Sequence, residues 1–234
     1  MRSVGLRAAR TGSMTGASVF AAGARAASGR ELLEAQRRHR LLMQDAAPES
    51  QVAGRGLLHL ARAEDLPSRW PGSAAGVIEL QIDSCNEVGS LARLAELPGL
   101  TTLRLGGLGF IADLKWLPAL TGLRAMRLEG FGEGLTSLEG IAAVSSLEAL
   151  VLDPRGGRAT VQALAPLAAL TDLRLLVLPA IATLDPSLQS LAALRKLELF
   201  HGTAYFGPIE YEALATSLPD LRCPWFSDLA WELL

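Results

Sequence analysis

Aliphatic and polar positions follow a repeating order through most of this chain. Six segments share the form L-x-x-L-x-L, with valine, isoleucine or methionine replacing leucine at some positions, and they begin at Val77, Leu100, Leu123, Leu147, Leu173 and Leu194. The two side chains of each L-x-L pair point to the same face of a β-strand. Successive segments begin 23, 23, 24, 26 and 21 residues apart, a spacing that indicates an array of structural repeats.

The residues between these segments carry a second pattern, in which aliphatic side chains recur every three residues. One such run contains Ile111, Leu114, Leu117 and Leu120. A spacing of three keeps one side of a 3₁₀-like segment facing inward. Neither the strand nor this return segment buries its leucines alone, so we expect neighbouring repeats to stack around a shared core.

This combination of strands and three-residue spacing resembles the leucine-rich repeat family, and most of all its internalin-like members with short repeats, over about residues 77–226. The resemblance implies an α/β fold: a solenoid with a parallel β-sheet on its concave side, 3₁₀ or short helices on its convex side, and a cap at each end. Family members often carry Asn or Cys eight residues after the first leucine. Only Cys85 fits here, and we expect it to be buried; the residues at this position are Cys85, Leu108, Phe131, Arg155, Ile181 and Gly202.

The sequence divides into five predicted segments. Residues 1–27 form a basic tail without aliphatic periodicity, which we expect to be disordered. Residues 28–53 form a short helix and a linker, and residues 54–76 form an N-terminal cap or a degenerate first coil. Residues 77–202 are the six repeats. Residues 203–234 provide a capping helix, a last strand and an aromatic cluster, which either caps the last coil or offers a partner site.

The N-terminal region differs in charge from the rest of the chain. Residues 1–50 carry eight arginines and four acidic residues, whereas the remaining residues carry 14 basic and 20 acidic ones. A basic, acid-poor tail is typical of an organellar transit peptide, so an organellar location is the alternative to the cytoplasmic location that we expect. Just after the tail, Ser28 and Glu31 form the pattern of a capping box, which predicts the start of a helix.

Neither composition nor spacing points to catalytic or metal chemistry. The two cysteines, Cys85 and Cys223, lie far apart, and the three histidines, His39, His59 and His201, form no metal-ligand pattern. We therefore expect no cofactor, no metal and no enzyme activity. Two isolated cysteines favour a reducing compartment.

Nucleic-acid and membrane binding are not expected either. The basic cluster of Arg37, Arg38 and Arg40 covers about one helical turn and has no interleaved aromatic residues. A transmembrane helix needs about 18 or more consecutive apolar residues, and no stretch of this chain reaches that length.

The candidate binding residues lie at offsets two, four and six from the first leucine of each segment, where side chains point away from the core onto the concave face. The first half of this face is charged, and the candidates there are Arg104, Arg127, Glu129 and Asp153. The second half is largely apolar, and the candidates there are Val151, Leu175, Val177, Pro179 and Phe200, with Lys196 and Glu198 on the last strand.

Each half of the face has two interpretations. The charged half is either a salt-linked, solvated ladder or a polar contact surface. The apolar half is either a partner-binding patch or a surface that the N-terminal helix or the C-terminal cap covers. The repeat core does not require these apolar residues, and for this reason we favour binding.

These features favour a non-catalytic module that recognises a protein or peptide on its concave face, as an adaptor, an inhibitor or an immunity-type partner. Self-association into a homo-oligomer is the alternative. The substrate-targeting part of an enzyme is a third hypothesis.

Overall fold

The computed structural model describes residues 25–41, 51–53, 56–60, 66, 70, 74–85, 91–109, 111–117 and 120–227. The predicted disordered tail up to residue 24 and Trp231 of the aromatic cluster lie outside the described residues. The elements, in chain order, are α1 (Gly29–Arg38), β1 (Gln51–Ala53), β2 (Leu57–Leu60), β3 (Glu79–Ile82), β4 (Thr102–Leu105), β5 (Ala125–Glu129), β6 (Ala149–Asp153), β7 (Ala159–Val161), β8 (Leu175–Val177), β9 (Ile181–Thr183), β10 (Leu199–His201) and α2 (Gly207–Ser217).

Eight of these strands form one sheet in the order β1-β2-β3-β4-β5-β6-β8-β10. All neighbours from β2 to β10 pair in parallel, and β1 pairs with β2 in the antiparallel direction. Each parallel strand is one coil further along the chain. The predicted α/β solenoid with a parallel sheet is therefore confirmed, and β2 shows that a strand of residues 54–76 joins the sheet beside the first predicted repeat.

The convex side is made of short return segments that match the three-residue spacing of the sequence. Several of them are 3₁₀ helices, at Ala92–Glu96, Ile141–Ala143, Ala165–Ala169 and Gln189–Ala193. In the Ala165–Ala169 segment, the amide of Leu167 donates to the carbonyl of Leu164 at 2.9 Å, and the amide of Leu170 donates to that of Leu167 at 3.0 Å. These i to i−3 bonds keep every third side chain on the core side.

The leucines of the strands and the returns form one continuous core through the stack. Leu103, Leu150 and Leu176, which occupy the same position in three coils, are completely buried. Cys85 lies in this core, as expected, and its amide donates to the carbonyl of Gly106 in the next coil at 2.9 Å. Burial raises the pKa of the Cys85 thiol to about 12.

The last repeat begins three residues later than predicted. Phe200 of β10 pairs with Leu176 of β8, so the first leucine of this repeat is Leu197, not Leu194. Phe200 therefore occupies a core position and is fully buried, whereas Leu199 and His201 take the outward positions. The error arose because Leu194, Leu197 and Leu199 match L-x-x-L-x-L, whereas the true frame has Phe200 and Gly202 at the positions of the second and third leucines.

A second, two-stranded sheet flanks the main one where β7 pairs in parallel with β9. It follows the segment from Pro154 to Arg158, which connects β6 to β7. Arg155 in this segment adopts a left-handed backbone conformation, with φ of 43°. The chain can thus turn sharply after β6 and start β7 on the side of the solenoid.

The C-terminal aromatic residues cap the last coil. Tyr211 of α2 is buried and stacks near Phe200, and its hydroxyl donates to the carbonyl of Thr203 at 2.9 Å. Trp225 packs beside Tyr211 and donates from its indole nitrogen to the carbonyl of Gly202 at 3.0 Å. Phe226 is buried in the main core. Of the two interpretations of this cluster, the described aromatic residues support the cap.

The tail up to residue 27 was predicted to be disordered, but its last three residues, 25–27, pack against the end of the solenoid. Arg25 forms a β-bridge with Arg222, and the amide of Cys223 donates to the carbonyl of Arg25 at 3.1 Å. Ala27 is buried. Backbone pairing with the end of the solenoid orders this segment in spite of its composition.

Gly140 allows one return segment to approach its neighbour. Its φ is +96°, and a Cβ atom at this position would lie 2.1 Å from the carbonyl oxygen of Leu114. Gly132 also has a positive φ, of +54°, but a Cβ atom there would meet nothing within 4 Å. These two glycines separate the effect of a backbone clash from that of backbone conformation.

We expect Gly140→Ala to lower the free energy of unfolding by several kcal/mol, because the added methyl group forces two coils apart. Gly132→Ala, the control, should cost only about 1–2 kcal/mol, the usual penalty for a left-handed alanine. Urea unfolding followed by circular dichroism measures both values. Equal losses would show that the coils do not meet at Gly140.

Candidate protein-interaction site

The concave face carries two regular rows of outward side chains that run across the sheet. One row contains Glu79, Thr102, Ala125, Ala149, Leu175 and Leu199, and the other contains Gln81, Arg104, Arg127, Val151, Val177 and His201. Each row changes from polar to apolar at about the middle of the sheet. The division into a charged and an apolar half therefore holds, apart from the last strand.

The apolar half belongs to a second cluster of buried side chains that is separate from the solenoid core. From the sheet it contains Ala125, Ala149, Val151, Leu175, Val177 and Leu199, and from the N-terminal segment Ala27, Leu32, Ala35 and Leu41. Helix α1 thus lies on the concave face and covers the patch. Of the two interpretations of this half, self-covering by the N-terminal helix is the state that the structure shows.

Local sequence explains where α1 begins. The hydroxyl of Ser28 accepts from the Glu31 amide, and the Glu31 carboxylate accepts from the Ser28 amide at 2.7 Å. This is the predicted capping box, and the bond from the Ser28 amide is the main reason that the pKa of Glu31 is lowered. The buried residues Leu32 and Ala35 are three apart and share one face of the helix.

Polar contacts hold both ends and the middle of α1 on the sheet. Near its start, the guanidinium of Arg222 donates to the Glu31 carboxylate at 2.8 Å. In the middle, Arg127 donates to the side-chain carbonyl of Gln36 at 2.5 Å. Beyond its end, Arg40 forms an ion pair with Glu79. Helix α1 therefore runs across the strands from the last coil back towards the second.

The C-terminal end of α1 is a Schellman motif without the usual glycine. The amide of Leu41 donates to the carbonyl of Gln36 at 2.8 Å, and that of Arg40 to the carbonyl of Arg37 at 2.9 Å. The residue that must adopt the left-handed conformation is Arg40, with φ of 56°. A left-handed non-glycine residue costs about 1–2 kcal/mol, so α1 ends under strain exactly where it contacts the charged half.

Arg104 lies beneath this end of the helix. Its side chain is 2% exposed, and one terminal nitrogen, Nη1, donates to the backbone carbonyl of Arg40. Nη2 is 3.7 Å from a carboxylate oxygen of Glu79, which is too long for a hydrogen bond. Burial lowers the pKa of Arg104. Its Nε and Nη2 atoms have no hydrogen-bond partner among the described residues.

The rest of the charged half is linked by salt bridges. Glu129 is buried, forms an ion pair with Arg127 on the same strand, and accepts from Arg155 at 2.6 Å. Asp153, one strand further on, accepts from the backbone amide of Arg155 at 3.0 Å. These contacts match the ladder interpretation in their pairing. Glu129 and Arg127 are largely shielded from solvent, however, and not solvated as expected, whereas Arg155 is exposed.

Three of the candidate residues lie outside the concave face, because the last repeat starts at Leu197. Phe200 belongs to the main core. Lys196 is exposed before β10 and pairs with Asp172 of the preceding coil at 2.6 Å. Glu198 lies at the rim and pairs with Arg174 at 2.6 Å. Pro179 follows β8 and is half-buried.

Sequence analysis missed Leu199 and Ala125 as members of the apolar patch. Leu199 was assigned to the core by the wrong frame, and Ala125 was passed over because a single alanine carries little signal. A polar network at the other end of the face was also missed, in which the Nε2 atom of His59 lies 2.7 Å from Asp83 and 3.3 Å from the Gln81 amide. Aligning β2 with the repeats would have placed His59 beside Gln81.

The described residues offer little for metal or membrane chemistry. No group of three or more His, Cys, Asp or Glu side chains among them is placed to hold a metal ion. None of the helices within the described ranges combines the length and apolar character of a membrane span. Cys223 is buried, and burial raises the pKa of its thiol.

Comparison with known proteins agrees with the fold. No protein-family model and no curated protein matches the chain. Among solved structures, internalin C2 from Listeria monocytogenes aligns with a TM-score of 0.54 and 21% identity, over 72% of this chain and 69% of that one. Another internalin of the same organism, inlF, aligns at 0.45 with 19% identity, over 63% of this chain and 40% of the neighbour. The likeness to internalin C2 supports a leucine-rich repeat solenoid.

Two neighbouring leucines of α1 provide a matched test of its docking. Leu32 is buried against the sheet, whereas Leu33 is 40% exposed. We expect Leu32→Asp to release α1 while the solenoid stays folded, because a buried leucine contributes about 1.5–3 kcal/mol. Hydrogen exchange protection of the α1 amides should fall by about tenfold or more.

Leu33→Asp, the control, should leave that protection unchanged. Loss of protection throughout β3 to β8 in the Leu32 variant would contradict the separation of the two apolar clusters.

Docking of α1 should also weaken in mild acid. Burial is the main cause that lowers the pKa of His39; Glu148 and Glu198 raise it, and Arg38 and Arg174 lower it further. The undocked imidazole therefore binds protons more readily, and docking is favoured above the ordinary histidine pKa and lost as the pH falls through it. Protection factors of α1, corrected for intrinsic exchange, should decrease from about pH 8 to about pH 5.5.

In His39→Gln, which cannot titrate, this decrease should be smaller. An equal decrease in the variant would assign the pH dependence to other groups.

Proposed function

We propose that this chain is a non-catalytic recognition module that binds a protein partner on its concave face. The observation that carries the proposal is the second apolar cluster. Val151, Leu175 and Val177 point away from the solenoid core and are nevertheless apolar. Helix α1 covers them in this structure. Without α1 they form a contiguous apolar surface, and such a surface usually marks an interaction site.

The size of the face suits a protein or peptide ligand. Seven parallel strands, from β2 to β10, at about 4.8 Å per step span roughly 29 Å. A standard interface buries about 800 Å² on each partner. Helix α1 demonstrates the type of contact that the face supports, with an apolar centre and polar contacts at its ends, as in many protein interfaces.

Binding requires α1 to leave the face. The apolar residues that α1 covers are not part of the solenoid core, so release exposes the patch without opening the stack. The segment that covers the face buries two leucines, Leu32 and Leu41, and otherwise the small residues Ala27 and Ala35. A partner that buries a larger apolar surface can therefore compete with α1 for the face.

The proposal gives no catalytic role to the histidines of the face. His59 is held between Asp83 and Gln81 in a network that fills one end of the sheet. His201 lies at the opposite end, where burial lowers its pKa. An adaptor, inhibitor or immunity-type role, and self-association, stay predictions.

A photo-crosslinking experiment tests the binding face in the full chain. A photoreactive amino acid replaces either Pro179, beside the apolar patch, or Ala192, on the convex side, in the Leu32→Asp background that releases α1. We expect a discrete protein adduct in native lysate from position 179 and not from position 192. Adding Val177→Asp should abolish that adduct while the circular dichroism spectrum stays the same.

Binding of the purified adduct partner is then measured directly. We expect Val177→Asp to weaken it by about 30-fold or more, as for a residue at the centre of an interface. An adduct of two copies of this chain would show that the face mediates self-association, and the proposal of a different protein partner would be wrong. Identical adducts from both positions, or an adduct that still forms in the Val177→Asp variant, would overturn the proposal that the concave face binds a partner.

A further inference from the structure

Arg104 has unused binding capacity at the end of the groove that α1 occupies. Its side chain is 2% exposed, and only Nη1 makes a hydrogen bond, to the carbonyl of Arg40. The Nε and Nη2 donors are buried without a partner among the described residues. Buried donors of a charged group are rarely left unpaired, so this site is incomplete with α1 in place.

The two unused donors lie on the same edge of the guanidinium plane. In that arrangement they form a fork that donates hydrogen bonds to two oxygens of one planar anion. A backbone carbonyl supplies a single oxygen, which is all that α1 offers to Arg104. The Arg40 carbonyl bonds to Nη1, outside the fork, so the geometry leaves Nε and Nη2 for the oxygens of a carboxylate.

The acidic neighbour of Arg104 does not fill the fork. Glu79 forms an ion pair with Arg40, and its nearer oxygen stays 3.7 Å from Nη2 of Arg104. A basic side chain beyond the end of the docked helix thus keeps Glu79 engaged. An occupant that satisfies the whole site needs a basic group for Glu79 and a carboxylate for Arg104.

We infer that the partner of the groove is an amphipathic helix with a carboxylate at its C-terminal end, directly after a basic residue. Arg104 recognises this carboxylate through Nε and Nη2. The inference rests on the proposed function and names the chemistry of the partner. Helix α1 is the built-in competitor, with the same apolar face and the same terminal arginine but without the carboxylate.

The surroundings favour a carboxylate over a phosphate group. Glu79, Asp83 and Glu129 all lie on the charged half of the face, near Arg104 and Arg127. A doubly charged phosphate would be repelled by three carboxylates, whereas one carboxylate adds a single charge against the buried arginine. The strain at Arg40, with its φ of 56°, further weakens α1 as the resident helix.

Two peptides with the sequence of residues 25–40 provide the test. One ends in a free carboxylate at Arg40 and the other in an amide, so they differ only in the terminal group, which in the carboxylate has a second oxygen and a negative charge. Both carry fluorescein at their N-termini, and their affinity for the full-length Leu32→Asp protein is measured by fluorescence anisotropy. We expect the carboxylate peptide to bind about tenfold more tightly.

Variants of the protein assign the preference to Arg104. Arg104→Gln should abolish it, and Arg104→Lys, which keeps the charge but lacks the fork, should remove most of it. Arg127→Gln is the matched control on the neighbouring strand; it weakens both peptides by removing the bond to Gln36 and keeps the preference. Equal affinity for the two peptides, or a preference that survives in Arg104→Gln, would overturn the inference.

The two proposals fail in different ways. If the peptides bind equally while the photo-adduct at position 179 depends on Val177, recognition on the concave face stands and the carboxylate inference is wrong. If the carboxylate peptide is preferred but no adduct with another protein forms, Arg104 binds a carboxylate at a helix end as inferred, and the proposal that the face binds another protein is wrong.

Discussion

The leucines of one coil leave water only by packing against the leucines of the next, and the whole solenoid depends on this mutual burial. Leu103, Leu150 and Leu176 are completely buried although each belongs to a strand that has no partner within its own repeat. Hydrogen bonds between successive coils follow from the same stacking. A coil in isolation would have neither a core nor a sheet, so the repeats fold as one unit.

The same stacking leaves the concave face without a partner of its own. In this chain half of that face is apolar, and α1 packs against it through Leu32 and Ala35. Because this second cluster is separate from the main core, the helix contributes to burial without being needed to hold the coils together. The arrangement combines a stable scaffold with a covered surface, and the covering segment is attached by side-chain packing and by a backbone bridge at Arg25.

Charge on the concave face is buried to an unusual degree for a surface strand. Glu129 is paired with Arg127 and Arg155, and removing one partner of such a pair leaves an uncompensated buried charge. Arg104 differs, because its guanidinium is only partly satisfied. Paired charges fix the register of α1 on the sheet, whereas the unsatisfied one distinguishes α1 from a better occupant.

The sequence by itself determined the repeat and its inward leucines, because they depend on spacing, and the start of α1, because it depends on Ser28 and Glu31. The parallel sheet and the buried Cys85 were expected from the resemblance to leucine-rich repeat proteins. It did not determine the frame of the last repeat, since the pattern fits a start at Leu194 and only the pairing of β10 with β8 shows that the repeat starts at Leu197. It also left open what covers the apolar face. Leu32 of α1 packs in one cluster with residues more than 90 positions later, and Arg222 bonds to Glu31 across 191 residues. Only the tertiary structure decided these contacts, because the stacked coils place residues that are distant in sequence side by side.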